Sequence, residues 1–447
     1  MSAYARGGRK EVKEAAQVPT QMKAIRYIHA SDLHLDAPFL GISQRMPNGA
    51  RLAQKLHEAT FTALSRLENL CLEQNVDFLV LTGDLTNSEE QSIRARLALH
   101  AFCTKLAKAG IAVFMIRGNH DPLTKADQRL PENVTLFKEN VEVVPFRRGD
   151  EVCALIHGVS LTSQNADSSL LKLFARDTGC NDLFQLGLLH ATVHGSDKAN
   201  CCVPCRLEEL KASQLDAWAL GHIHKPQILS ESPCITYAGS PQGLEIHESG
   251  KHGCYLITAS PEDGHWRCEA TFHALAPIVW ETVSVDVEGM DEISLLVNRL
   301  ADALEKARTA LSAQASTLIV RLILQGATNL DRELQRNASE LLQELSYLQN
   351  ENPELWIHDL NLQTNPPVSL ESYRARDDLL GACLREAELL AHDQASQEAF
   401  FAEALKPILN SGPLKKILPA LDEHLCQTLL EDAQKICLFR MEDGRVH

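Results

Sequence analysis

Three times between residues 22 and 122, a short apolar run breaks off directly into a polar motif. "MKAIRYIHA" (22–30) leads into "SDLHLDAPF", "VDFLVL" (76–81) into "TGDLTN", and "IAVFMI" (111–116) into "RGNHDP". The first run alternates as a strand does, and the other two suit buried strands. Between them, residues 51–75 carry apolar side chains at helical spacing. A second helix is expected from a capping box of Ser88 and Gln91 to Lys108, closed by Gly110. Strand, helix, strand, helix, strand is the order of a layered α/β sheet. Open α/β sheets bind ligands outside the carboxyl ends of their strands, which is where all three motifs fall.

From about residue 141 the segments become shorter and richer in β-formers: "VEVVPF", "EVCALIHGVS", "FQLGLLH", "AWALGHIH", "CITYAGS" and "GCYLITA". They read as the second half of one sandwiched core. The texture changes again around Ala274 to Pro277, after which "IVWETVSVDV", "STLIVRLILQ" and "LWIHDLNLQ" alternate with two helical stretches as a compact β-α-β-α-β unit. Polar "TNPPVSLES" then opens a helical stretch from about 371 to 438, interrupted at "NSGP" (410–413). The expected divisions are a disordered tail over 1–22, a catalytic domain over 23–275, a capping domain over 276–367 and a helical C-terminal region over 368–447.

The strand-end motifs share one set of donors. Residues i and i+2 of an extended chain point to the same side, so Asp32 and His34 are expected to converge, as are His222 and His224 of "LGHIHKP". Asp84 follows the second buried run, Asn119, His120 and Asp121 follow the third, and His190 ends the apolar run of "LGLLHATVHG". Carboxylates, an amide oxygen and imidazoles suit manganese, iron or zinc rather than copper(I). Each motif alone is an ordinary turn or a satisfied histidine, but five polar breaks after five buried runs point to one metal site. His194 stands four residues after His190 as the alternative to it, and Asp36 either lines the groove or caps a turn. Cys202 and Cys205 have CxxC spacing without a second pair and read as structural. His29, His100, His157, His247 and His252 lack matching partners and read as ordinary histidines.

Composition narrows the setting. No stretch reaches the roughly 18 apolar residues that span a bilayer, and residues 1–22 lack the apolar core of a secretory signal. Thirteen scattered cysteines, an odd number, suit a reducing compartment. A soluble, cytoplasmic protein with no membrane partner is expected. The formal net charge of -16 argues against a stand-alone DNA binder. It leaves room for a DNA-acting enzyme, because bound cations, a local basic groove or a second subunit can supply the attraction.

The ordered set "DLH", "GDL", "GNHD", a strand-end histidine and "GHIH" resembles the calcineurin-like metallophosphoesterase superfamily over residues 26 to about 275. Within it, "SDLHLDAPF", "GNHDP" and "GSPQG" (239–243) look most similar to the DNA repair exonuclease branch, with its SbcD-type nuclease subunits and YhaO-like group. The resemblance implies an α/β four-layer sandwich, two mixed sheets flanked by helices, with a small α+β capping domain and a helical C-terminal region. It implies two divalent metal ions, manganese first with iron or zinc as alternatives. Asp84 would bridge them, with Asp32, His34 and His224 on one ion and Asn119, His190 and His222 on the other. A bridging hydroxide would be the nucleophile, His120 would serve the phosphoryl or leaving oxygens, and Asp121 would hold its ring. The implied function is a metal-dependent phosphodiesterase, an exonuclease on DNA, working as the nuclease subunit beside an SMC-like ATPase, with a homodimer left open. A small-molecule or nucleotide phosphodiesterase, or a non-catalytic scaffold using the terminal helices, remain the alternatives.

Overall fold

In the computed structural model the described residues are 23–37, 39, 49–86, 92–119, 121, 130–162, 168–193, 202–311, 313–345, 354–367, 370–391, 393–406 and isolated positions from 426 to 434. The tail expected over 1–22, the break at 410–413, and Ser88, Gln91, His120 and His194 lie outside them. Two compact units divide the chain, residues 1–326 with 330–364 and residues 327–329 with 365–447.

The first unit opens with four parallel strands, β1 (Ile25–Ala30), β2 (Phe78–Thr82), β3 (Ala112–Ile116) and β4 (Val134–Leu136). A second sheet follows, from β5 (Glu142–Arg148), β6 (Glu151–Gly158) and β7 (Phe184–His190). After a short parallel pair, β8 (Thr192–Val193) with β9 (Pro204–Cys205), it is completed by β10 (Ala217–Gly221), β11 (Gln227–Glu231) and β12 (Cys234–Tyr237) in the order β11-β12-β10-β7-β6-β5. The chain then returns to the first sheet as β13 (Gly253–Glu262) and β14 (His265–Ala274), giving β14-β13-β1-β2-β3-β4. Both sheets are mixed, with parallel centres; the second has two antiparallel edges, whereas the first is antiparallel at β14 and β13 and ends on the parallel β4.

Alternation along the strands builds the layers. Tyr27, Phe78, Val80 and Phe114 turn inward and meet Phe146, Phe184 and Leu186 of the facing sheet. Their neighbours Ile28, Leu79, Leu81 and Val113 turn outward onto Leu67, Leu99, Phe102 and Leu106, from the helices Gly49–Glu73 and Ile93–Lys108. On the far side, Leu189, Leu220 and Ile235 are covered by Leu170, Phe174 and Leu210, in or beside short helical turns. The result is helix, sheet, sheet, helix. The second helix begins one turn later than the Ser88 box would place it: Ser92 is its cap and accepts from the Ala95 amide at 3.1 Å.

Residues 278–365 form a three-stranded sheet of β15 (Ile278–Asp286), β16 (Thr317–Ala327) and β17 (Glu354–Asn365) in that order, with β15 and β16 parallel. The helices Ile293–Thr309 and Asp331–Glu344 cover one face with Leu296, Leu300, Leu304, Leu334 and Leu341. On the other face Trp280, Ile319 and Trp356 pack with Leu52, Leu56 and Ile246, so this sheet has both its own core and an apolar seam with the helix Gly49–Glu73. The second unit contains the helices Leu370–Arg374, Leu379–Ala391 and Gln394–Ala404, with Arg374 paired to Glu388 at 3.0 Å. Among the described residues no helix is long and apolar enough to cross a membrane, and no cysteine is in a disulfide.

His29 is a polar rivet between the sheets. On β1 and fully buried, it meets the Thr82 hydroxyl of β2 at 3.1 Å and the Thr236 hydroxyl of β12 at 2.9 Å. Burial lowers its pKa to about 3, against a smaller opposing effect of the Leu220 backbone. Between pH 6.5 and about 3 the unfolded chain therefore binds a proton that the folded chain refuses, and stability falls as pH falls, by about 1.4 kcal/mol per pH unit from this group. Urea unfolding midpoints should drop over that window in the native chain, with a shallower slope in His29→Gln. Equal slopes would show that another group sets the acid limit.

Candidate functional site

Five strand ends converge on one cluster. β1 delivers Asp32 and His34, β2 delivers Asp84, β3 delivers Asn119, β7 ends in His190, and β10 delivers His222 and His224. The expected alternation of an extended chain is not how Asp32 and His34 meet. Their φ angles are 49° and 38°, with Asp84 at 49° and His222 at 95°, so four donors sit in left-handed backbone beyond the strand ends. Such conformations in non-glycine residues persist only where the surroundings hold them. Here the loops zip together: the Asp32 amide donates to the Gly83 carbonyl at 3.0 Å, the His34 amide to the Asp84 carbonyl at 3.0 Å, and the Leu35 amide to the Leu85 carbonyl at 3.1 Å. The His222 amide donates to both Asp32 carboxylate oxygens at 3.2 Å.

Asp121 fastens a third loop to these. Its Oδ1 accepts from the Leu85 and Thr86 amides at 2.8 and 3.1 Å, and its Oδ2 from the Gly118 amide at 3.1 Å. The expected role, holding the His120 ring, falls on a residue outside those described. Desolvation, and after it the nearby charge of Asp84, push the Asp121 carboxyl up to about 7. Asp36 also ties structure together. It accepts from the Ser92 hydroxyl and faces Arg94 and His57 at 3.6 Å each, which favours the turn-and-cap reading over groove lining.

The donor atoms fall into overlapping groups: Asp32 with His34 and His224, Asp32 with Asp84 and His190, and His190 with His222 and Cys202. Asp84 Oδ2 lies 3.9 Å from His34 Nε2 and 3.4 Å from His190 Nε2, so one carboxylate oxygen faces a histidine from each of two strand ends. His190 Nε2 is 3.0 Å from Asn119 Oδ1. Its other nitrogen faces the Thr82 carbonyl at 2.9 Å, and since a carbonyl only accepts, Nδ1 carries the proton and Nε2 is turned to the cluster. His224 is oriented the same way: Nδ1 donates to Glu248 Oε1 at 2.5 Å, and Nε2 lies 3.1 Å from His34 Nε2 and 3.9 Å from Asp32 Oδ1.

These residues fit divalent cations. Asp32 and Asp84 are only 1% and 2% exposed, and buried carboxylates need counter-charge. Protonated imidazoles or bound cations can supply it. Burial opposes charge on the fully buried His190 ring, yet the charge and hydrogen bond of Asp84, with Asp32 behind, hold its pKa up at about 9. Burial likewise opposes charge on His224, and Glu248 followed by Asp32 raises it to about 9. A cation that displaced these protons would meet two carboxylates and converging ring nitrogens. The space is set by Gly118, where a Cβ would lie 2.2 Å from Asp84 Oδ1.

Sequence reasoning missed Glu248. Its carboxylate holds His224 through Oε1 and accepts the Leu244 amide through Oε2 at 2.7 Å, while its carbonyl meets the His252 ring at 3.0 Å. It lies 24 residues beyond His224, in a loop with no periodic signal. Carboxylates that orient a metal-binding histidine typically carry about 10- to 100-fold in metal affinity. Glu248→Gln should therefore weaken binding of the ion at Asp32, His34 and His224 by about that factor in a metal titration. Unchanged affinity would remove Glu248 from the centre.

A sandwich of two mixed sheets whose strand ends bring carboxylates, imidazoles and an amide to one point is the arrangement of a metal-dependent phosphoesterase. The chain belongs to the calcineurin-like metallophosphoesterase family: residues 25–226 match the calcineurin-like phosphoesterase family, and residues 280–365 match the middle domain of the metallophosphoesterase YhaO. It is 34% identical over 307 residues to the "Uncharacterized metallophosphoesterase YhaO" of Bacillus subtilis, covering 68% of this chain and 72% of that one. It is 22% identical over 294 residues to the "DNA double-strand break repair protein Mre11" of Sulfurisphaera tokodaii, covering 64% and 70%. With a subunit of the nuclease SbcCD of Escherichia coli the identity is 23% over 275 residues, covering 53% and 65%.

Proposed function

We propose that this phosphoesterase hydrolyses phosphodiester bonds of DNA, as the nuclease subunit of a DNA repair complex in the cytoplasm. The observation that carries the reading is the placement of Asp84 between two donor groups. Asp32, His34 and His224 would hold one cation, and Asn119, His190 and His222 the other, with Asp84 shared. When bound, such a cation pair supplies Lewis acidity to the phosphoryl oxygens and lowers the pKa of water. The chain's own groups fix the donors: Thr82 and Glu248 set the His190 and His224 rings, and Asp121 locks the loop that carries Asn119. Manganese is the first candidate for the ion pair, with iron or zinc as alternatives.

His120 follows Asn119 and is assigned to stabilising the phosphoryl oxygens or protonating the leaving oxygen. His120→Ala should stay folded, keep near-normal manganese by elemental analysis and lose about 10²- to 10⁴-fold in rate. Full activity, or metal loss like that of an Asp84 variant, would end the assignment. DNA as substrate draws support from the relatives named for double-strand break repair and for a nuclease. An SMC-like ATPase is the proposed partner, docking on the helices after Ser369 through apolar segments such as "LLGACLREAELLA", and a homodimer stays open.

The formal net charge of -16 favours a second reading, hydrolysis of small phosphodiesters or nucleotides. A manganese-supplemented assay on linear duplex DNA, single-stranded DNA and bis-p-nitrophenyl phosphate separates the two. Cleavage of DNA along with the small ester is expected; turnover of the small ester alone would move the assignment to the second reading.

A further inference from the structure

The two expected ion positions are unequally supplied with negative charge. In the proposed assignment Asp32, His34 and His224 include a carboxylate of their own, whereas Asn119, His190 and His222 share Asp84 and have Asp32 only as a neighbour of His190. Cys202 lies on the poorer side. Its sulfur and ring nitrogens of His190 and His222 all fall within 4.8 Å of one another. The contact is built into the backbone: the Thr192 amide donates to the Cys202 carbonyl at 2.7 Å, and the Cys202 amide donates to the Thr192 hydroxyl at 3.1 Å. This reciprocal pair, continued by the β8 and β9 ladder, anchors Cys202 against the residue two beyond His190. Cys205, the other half of the CxxC, is in none of the donor groups. Burial, with Glu209 nearby, pushes its thiol up to about 12.

We propose that Cys202 is a thiolate ligand of the ion held by His190 and His222, giving one position of the centre a nitrogen, oxygen and sulfur donor set and the other a nitrogen and oxygen set. The inference rests on the metal-binding reading above. Binding releases the thiol proton to solvent and adds the anionic donor that this side lacks. Because thiolate is a soft ligand, it should raise the preference of the Cys202 position for zinc or iron relative to that of the Asp32 position. The centre would then be chemically asymmetric, with different metal preferences at its two positions.

Cobalt(II) titration of the metal-free full chain under anaerobic conditions tests this. The expected result is two bound cobalt ions and a near-ultraviolet thiolate-to-cobalt charge-transfer band that appears in the native chain, survives Cys205→Ser and is lost in Cys202→Ser. Cobalt-edge X-ray absorption of the native chain should show one sulfur neighbour per pair of ions, a readout that needs no variant to fold. Two bound cobalt ions with neither band nor sulfur neighbour would overturn the ligand role of Cys202 and leave the two-ion reading standing. A native chain that binds no cobalt would overturn both.

Discussion

Asp84→Ala is expected to abolish phosphodiester hydrolysis, by at least about 10³-fold, and to deplete metal at both positions. Asp84 is the carboxylate whose Oδ2 faces His34 at 3.9 Å on one side and His190 at 3.4 Å on the other. Its removal also withdraws the charge that holds the His190 ring up at about 9. Asp32→Ala, by contrast, should mainly empty the position shared with His34 and His224. Elemental analysis of the purified variants beside native protein decides the matter, and unchanged metal content in Asp84→Ala would exclude a bridging role.

Gly118→Ala should damage the centre nearly as much without touching a donor. The added methyl carbon would lie 2.2 Å from Asp84 Oδ1 and 2.7 Å from the Asp84 amide nitrogen, against backbone as well as a side chain. Something must shift, and the Asp84 carboxylate is the nearest group able to do so. Misplacing a catalytic group by about 1 Å can cost about 10² in rate, and overpacking costs about 1–3 kcal/mol. The variant should thus melt slightly lower, bind metal more weakly and lose about 10²-fold in turnover. Native turnover in Gly118→Ala would mean that the Asp84 loop has more room than its contacts with Gly118 show.

The strands and the donor types were legible because each donor follows an apolar run, and apolar runs report buried strands directly. Asp32, Asp84, Asn119, His190, His222 and His224 could be read that way, and the structure brings them together. What the sequence hid was backbone geometry. Asp and His tolerate positive φ better than most residues, but identity alone does not place Asp32, His34 or His222 there; the interlocking loop hydrogen bonds hold it. Long-range partners were equally hidden. Glu248 meets His224, and Cys202 meets His190 and His222, through chain folding that no local spacing encodes. The helix cap moved from Ser88 to Ser92 because Asp36 and the Ala95 amide both engage the Ser92 hydroxyl.

Metal dependence at a two-ion centre is tested most directly by adding manganese to metal-free protein while following bound metal and bis-p-nitrophenyl phosphate hydrolysis together. Hydrolysis should be absent without metal and reach its maximum only as a second ion binds each chain. Hydrolysis that survives complete metal removal, or that saturates with a single ion per chain, would contradict a centre built around a shared Asp84.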